Sequence, residues 1–399
     1  MALTPDFDSY PITFSIAAVE PQSRCVTVTW SDGRVSRFHN IWLRDNCPCP
    51  GCVHQVTKEQ TFELVAVAPD IRPTAATVGP DGSLLVSWPD LHDSEFHAGW
   101  LRAHDYGDDA RAERARVTET WDATLGEPPT FDAPSVLVDD DALYEWLQAF
   151  EQFGMTRLRN LAVNEDALPQ LAARVGIVRD TNFGIFWDVW SETNPVTNAN
   201  TALPLPPHVD LPTREYQPGV QFLHCLENEA LGGDSIVLDG FRLAEQLRAE
   251  SADDYEILTT VPWNWANRAT STDHRWTSPL LVTGRDGSLL EVRVGNWLRA
   301  PLDLAFDEVE AAYAAYRRLF EMTYRLDLQL RFRLEPGDVN VFDNRRILHA
   351  RSEFTDVGGR RHLRGCYSER DEVRSRLRIL ERAKRADLVA STPSAASAL

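Results

Sequence analysis

The sequence predicts a mainly β fold, a sandwich or jelly roll with flanking helices, preceded by a small β-rich N-terminal domain. Short β-rich runs recur along the chain between tight-turn signals such as Ser31-Asp32-Gly33-Arg34 and Pro80-Asp81-Gly82-Ser83. Helical patterns are few, and the strand–helix alternation that a parallel doubly wound sheet needs is missing. No internal repeat is present.

In chain order, strands are expected at 24–30, 35–39, 64–68, 76–78 and 84–88. A charged helix at 108–116 reads as a connector, which divides the chain into a small domain, residues 1–115, and a larger one, residues 116–386. The larger domain opens on helical patterns at 141–153 and 165–175. Strands dominate after that, at 219–226, 234–238, 279–282, 289–294, 328–333 and 339–342, interrupted by helices at 241–251 and 306–324. In the latter, Val309, Tyr313, Tyr316 and Leu319 recur at helical spacing, which predicts a core face. A charged helix at 371–385 closes the domain, and residues 387–399, small and polar, read as a flexible tail.

Composition narrows the function. Hydrophobic residues make up 43% of the 399 residues and charged ones 25%, as in a soluble globular enzyme. No apolar run approaches the ~18 residues of a membrane span. Residues 1–20 lack a basic stretch followed by an apolar one, so neither a membrane nor a secretory signal is expected. A net charge of −20 would repel nucleic acid and weakly attract a cationic substrate. Only two lysines, Lys58 and Lys384, stand beside 38 arginines, so Schiff-base and P-loop chemistry has almost no candidates. Gly-x-Gly-x-x-Gly and Gly-x-Ser-x-Gly are absent as well. Three of the six cysteines crowd into 47–52, which without a signal peptide points to metal ligation in a reducing cytoplasm.

Two constellations carry chemistry. His208-Val209-Asp210 places an imidazole and a carboxylate two residues apart, on one face of an extended segment. A distant third ligand, His349, would complete the two-histidine, one-carboxylate set that leaves three positions open on Fe(II). Those positions suit a bidentate 2-oxo acid and O2, and an arginine at 360 or 361 offers the fork that a distal carboxylate needs. In the small domain Cys47, Cys49 and Cys52 supply three thiolates, with turn-forming residues between them. A closed zinc site needs a fourth ligand, for which His54, His92 and His97 are all candidates by spacing.

Several stretches resemble the γ-butyrobetaine dioxygenase family of taurine-dioxygenase-like oxygenases. They are Phe38-His39-Asn40-Ile41-Trp42-Leu43-Arg44-Asp45-Asn46-Cys47, His208-Val209-Asp210-Leu211-Pro212-Thr213-Arg214-Glu215, Pro218-Gly219-Val220-Gln221-Phe222-Leu223-His224-Cys225 and Gly232-Gly233-Asp234-Ser235, followed by residues 342–349, Arg361-His362-Leu363 and Ser375-Arg376-Leu377-Arg378-Ile379-Leu380. The resemblance implies a double-stranded β-helix (jelly roll) catalytic domain with iron at its mouth, beside a zinc-binding N-terminal domain. It implies an Fe(II)- and 2-oxoglutarate-dependent dioxygenase that hydroxylates a small trimethylammonium acid, γ-butyrobetaine to carnitine, with O2 as co-substrate and ascorbate as an accessory reductant. It places the 2-oxoglutarate carboxylate on Arg361, with Leu223 and Ser235 near the co-substrate, and favours His92 as the fourth zinc ligand. Phe183, Trp187 and Tyr367 fall at cage positions for the cationic head, where aromatic faces hold a group with no N–H to donate. Asn296 matches a position that contacts the substrate's carboxylate. A cytoplasmic homodimer is implied too.

Two residues depart from the family's cage, in which a tyrosine commonly stands eight residues before the first iron histidine. This chain has Asn200 there, and Leu211 where some members carry tyrosine. Trp190 and Phe186 are the nearby aromatics that could compensate. Two alternatives follow: the same chemistry on another quaternary ammonium compound, such as a trimethylammonium phosphonate, or an inactive zinc-bearing interaction protein.

Overall fold

The computed structural model describes residues 2–115, 118–190, 201–355 and 359–391. The chain divides into two compact units, Met1–Arg116 with Ile379–Leu399, and Val117–Arg378.

The first unit holds two three-stranded antiparallel sheets, one formed by Ile16–Pro21, Cys25–Trp30 and Val35–His39, the other by Ala75–Val78, Leu84–Ser87 and Asp93–Phe96. Alternation in Cys25–Trp30 sends Val26, Val28 and Trp30 inward, onto a core with Phe38, Leu84, Val86, Trp88, Phe96 and Trp100. The strand expected at 64–68 is instead an exposed 3-10 turn, Leu64–Ala66, because the β-branched run has no partner strand. The closing helix runs from Arg370 to Ser391, longer than expected. Its end groups with this unit rather than with the large domain, since Arg382 and Arg385 both reach Asp8. Helix also occupies 387–391, the start of the expected tail; 392–399 lie outside the described residues.

The second unit is a jelly roll of two facing, mainly antiparallel sheets. Eight strands build it, named here β1 (Phe186–Val189), β2 (Leu205–His208), β3 (Val220–Asn228), β4 (Ser235–Asp239), β5 (Leu330–Phe332), β6 (Val339–Asp343), β7 (Ile347–Arg351) and β8 (Arg361–Ser368). One sheet runs β1-β8-β3-β6 and continues through Met155–Arg159 to Thr130–Asp132; the other runs β2-β7-β4-β5. Strands adjacent in space are mostly distant in sequence, the Greek-key arrangement of a double-stranded β-helix. Cys225, Val237, Phe332, Phe342, Ile347 and Leu363 pack between the sheets. The outer face of the second sheet, with Ile236, Leu238, Leu348 and Ala350, is covered by helices Gly240–Glu250, Ala252–Thr260 and Val309–Met322 and by buried Trp263 and Trp265. Of the face predicted for the last helix, Tyr316 and Leu319 are buried, whereas Tyr313 is 45% exposed.

Candidate active site and metal centres

β2 ends on His208, and the ladder pairs it directly with His349 of β7, so their rings lie 4.1 Å apart. Asp210 follows β2. Its Oδ1 lies 3.3 Å from His208 Nε2 and 3.7 Å from His349 Nε2. The three ligand atoms lie within 4.8 Å of one another, close enough to hold one metal ion. His208 Nδ1 sits 2.9 Å from the Pro206 carbonyl, which accepts its proton and leaves Nε2 free to ligate.

The fold fixes Asp210 at three points. Its backbone N–H donates to Asn344 Oδ1 at 2.7 Å, and Asn344 Nδ2 donates to the Asp210 carbonyl at 2.9 Å and to that of Pro218 at 3.1 Å. Tyr367 Oη donates to Asp210 Oδ2 at 2.6 Å. Leu211 takes a left-handed conformation, φ +53°, and buries its side chain. Burial alone would raise the Asp210 carboxyl, but His349, His208 and the Tyr367 hydroxyl outweigh it and hold the group below the ordinary carboxylate range. Burial pushes His349 down to about 3, so its imidazole is neutral, as metal ligation requires.

Arg361 opens β8 on the inner face of its sheet and is buried, whereas Arg360 points outward and pairs with Glu227. Burial lowers Arg361 to about 10. Among the described residues no carboxylate lies within ion-pair distance of it, so its charge is open to an anionic ligand. Gly233 gives it room, since a Cβ there would meet Arg361 Cδ and Nε at 3.1 Å. Leu223 faces the same interior, opposite Gly365 and Asn340. Ser235 begins β4 opposite Arg351 of β7.

The aromatic positions separate. Trp187 lies across Gly365 of the neighbouring strand, where any Cβ would overlap the indole, and its ring sits 5.2 Å from that of Tyr367. Phe183 is 40% exposed. Phe186 and Trp190 do not compensate for the departures from the cage. Strand alternation puts Phe186 on the outer face, against Arg364, and Trp190 lies against His362 on that same face. Asn296 is exposed and its Oδ1 accepts from Arg299 at 2.7 Å; the next residue, Trp297, lies 4.6 Å from the His208 ring. Asn200 lies outside the described residues.

In the first unit Cys47, Cys49, Cys52 and His92 converge, with the three sulfurs 3.2, 3.6 and 3.7 Å from His92 Nε2. The other candidates are occupied: His54 Nδ1 accepts from Thr57 N, and His97 caps a helix through Trp100 N. Burial raises the Cys47 thiol to about 12, and that of Cys52 rises too. Three thiols beside one imidazole suit a divalent cation, which makes thiolates favourable even where burial opposes them, as at Cys47 and Cys52.

Comparison with known proteins gives the family. Residues 113–367 match the model of the taurine catabolism dioxygenase TauD, TfdA family, and residues 17–102 that of the γ-butyrobetaine hydroxylase-like N-terminal region. The chain belongs to the TauD, TfdA dioxygenase family. It is 44% identical to a γ-butyrobetaine dioxygenase of Pseudomonas sp. (strain AK-1), over 94% of this chain and 99% of that protein. The human γ-butyrobetaine dioxygenase is 30% identical over 88% of this chain and 93% of its own length. The mitochondrial trimethyllysine dioxygenase of Gallus gallus is 31% identical over 86% and 83%.

Membership of the TauD, TfdA family implies iron and 2-oxoglutarate, and the two-imidazole, one-carboxylate donor set fits such an ion. Sequence reasoning missed three contributors to this dioxygenase site: Asn344, the Tyr367 hydroxyl contact and Trp297. Asn344 stands inside the motif that ends on His349, and an uncharged amide there is the signal that could have found it. In sequence, Tyr367 draws attention for its ring and not for its hydroxyl.

Proposed function

We propose that this protein hydroxylates γ-butyrobetaine, with iron held by His208, Asp210 and His349 and with 2-oxoglutarate anchored on Arg361. One observation carries the reading: Trp187 and Tyr367 form an aromatic wall whose tyrosine touches Asp210 of the metal cluster, so a cationic head on that wall lies beside the reacting centre. Iron(II) and 2-oxoglutarate supply the oxidising chemistry, converting a C–H bond to C–OH as 2-oxoglutarate and O2 become succinate and CO2. The protein's share is positional. Arg361 forms a two-pronged bond to the distal carboxylate, and Leu223 and Ser235 border the co-substrate. Trp187, Tyr367 and Phe183 hold the trimethylammonium group through cation–π attraction, and Asn296 receives the acid end. Position matters because the carbon presented nearest to the iron is the one hydroxylated. Cys47, Cys49, Cys52 and His92 hold a structural zinc that takes no part in the chemistry.

Succinate release tests the reading across γ-butyrobetaine, trimethyllysine, a trimethylammonium phosphonate and taurine. Fastest release with γ-butyrobetaine is expected. Faster release with the phosphonate would move the substrate to another quaternary ammonium compound, which the departures at Asn200 and Leu211 favour. No release with any of them would leave the zinc-bearing interaction protein.

A further inference from the structure

We infer that Tyr367 also acts as a positioning residue for the metal site. Its hydroxyl holds the distal oxygen of Asp210, so that the carboxylate ligates iron through one atom and three coordination positions stay open. The inference rests on the proposed iron ligands. The two oxygens of Asp210 have different surroundings. Oδ1 faces both histidine Nε2 atoms at 3.3 and 3.7 Å, and Oδ2 accepts from Tyr367 Oη at 2.6 Å. That length is typical of a charge-assisted O–H···O⁻ bond. Asn344 fixes the backbone of residue 210, and Tyr367 thereby removes the remaining freedom, rotation of the carboxylate. A carboxylate free to turn could chelate the ion through both oxygens and occupy a position needed by the 2-oxo acid or O2. Tyr367 is held in turn, since it is buried on β8 with its ring against Trp187. One residue thus offers a ring to the aromatic wall and a hydroxyl to the metal site.

Tyr367→Phe separates the two roles, because it keeps the ring and removes only the hydroxyl. Outer-shell partners of metal ligands commonly tune affinity by about 10–100-fold. Titration with Co(II), an air-stable probe, should therefore show affinity reduced by about tenfold or more in Tyr367→Phe. The visible absorption of the anaerobic Fe(II)–2-oxoglutarate complex should shift, while the KM for γ-butyrobetaine holds. Trp187→Leu should do the reverse, raising KM with Co(II) affinity intact. A Tyr367→Phe protein with wild-type Co(II) affinity and unchanged absorption would overturn the inference. A wild-type protein that binds Co(II) elsewhere than at His208, Asp210 and His349, shown by unaltered affinity in Asp210→Ala, would overturn the ligand reading beneath it.

Discussion

The two candidate metal-binding clusters of this chain are assembled in opposite ways. In the first unit, three of four donors come from six consecutive positions, on a loop ordered by local bonds: Cys52 N and Val53 N donate to the Cys49 carbonyl, Thr61 N and Phe62 N donate to the Cys52 carbonyl, and the Arg44 guanidinium donates to Cys52 Sγ at 3.4 Å. In the jelly roll, the donors come from two strands far apart in sequence, and they are already aligned by a ladder pair, an asparagine clamp and a tyrosine hydroxyl. The first cluster is local in sequence, and the second is assembled by long-range strand pairing. Four closed donors suit a structural ion, and three donors with an open side suit a catalytic one.

The largest effect should come from breaking the thiol cluster. Structural zinc contributes about 10–16 kcal/mol of apparent binding free energy in small metal-dependent folds, much of which is folding energy. Cys52→Ser should therefore lose its zinc by elemental analysis and show early thermal unfolding. Mild chelation that strips iron should leave one zinc per chain. Asp210→Ala, by contrast, should lose turnover with its unfolding temperature nearly unchanged. If both variants unfold alike, the contrast between the clusters is wrong.

Arg361 sharpens the second half of the contrast, since a preformed site already carries a buried cation. Removing one partner of a buried pair costs roughly 3–5 kcal/mol, so Arg361→Ala should raise the KM for 2-oxoglutarate by two orders of magnitude or more. Arg360→Ala, which loses only a surface contact to Glu227, should leave it unchanged. The opposite result would move the anchor to Arg360.

These contrasts also explain what could be read in the sequence. Cys47, Cys49 and Cys52 are local, so spacing alone exposes them, whereas the choice among His54, His92 and His97 depends on the strand Asp93–Phe96 and its turn. The pair His208 and Asp210 is local too, but the ladder that brings His349 to it is a long-range pairing that no spacing encodes. Strands β3, β4 and β6 were legible because apolar residues predominate in them. β1, β2, β7 and β8 were not, because polar residues interrupt them: His208, His349 and Arg361 at the site, where function overrides strand propensity, and Asp188 and His362, paired with each other on the outer face. The inward or outward orientation of Phe186, Trp187 and Asp188 follows from period-two alternation once the strand is known.

A pH titration tests how far the jelly roll is built at the expense of its histidines. His224 is fully buried on β3, neither ring nitrogen has a hydrogen-bond partner among the described residues, and burial, with His362 and Arg364 nearby, lowers it to about 4. Its pKa in the unfolded chain is about 6.5. Between those values the unfolded chain binds the extra proton, so stability falls as pH drops from 6.5 toward 4 and is fully present above 6.5. The loss from this one group is on the order of 3 kcal/mol. His224→Leu should flatten the dependence of the denaturation midpoint over that range. An equally steep dependence in the variant would assign the acid sensitivity to other groups.

The smallest expected effect concerns the aromatic wall. Trp187 is locked across Gly365 and beside Tyr367, whereas Phe183 is 40% exposed. A desolvated cation–π contact is worth about 2 kcal/mol and an exposed one about 0.5–1. Trp187→Leu should therefore raise the KM for γ-butyrobetaine by roughly tenfold or more, and Phe183→Leu by only a few-fold, since about 1.4 kcal/mol is one decade. Both changes should matter less for the neutral isostere with carbon in place of the quaternary nitrogen, because only the charge interacts with the ring quadrupole. Equal losses for the cation and the isostere in Trp187→Leu would mean that the wall reads shape alone. A larger loss in Phe183→Leu than in Trp187→Leu would mean that the head sits at the exposed end, away from the tyrosine that touches Asp210.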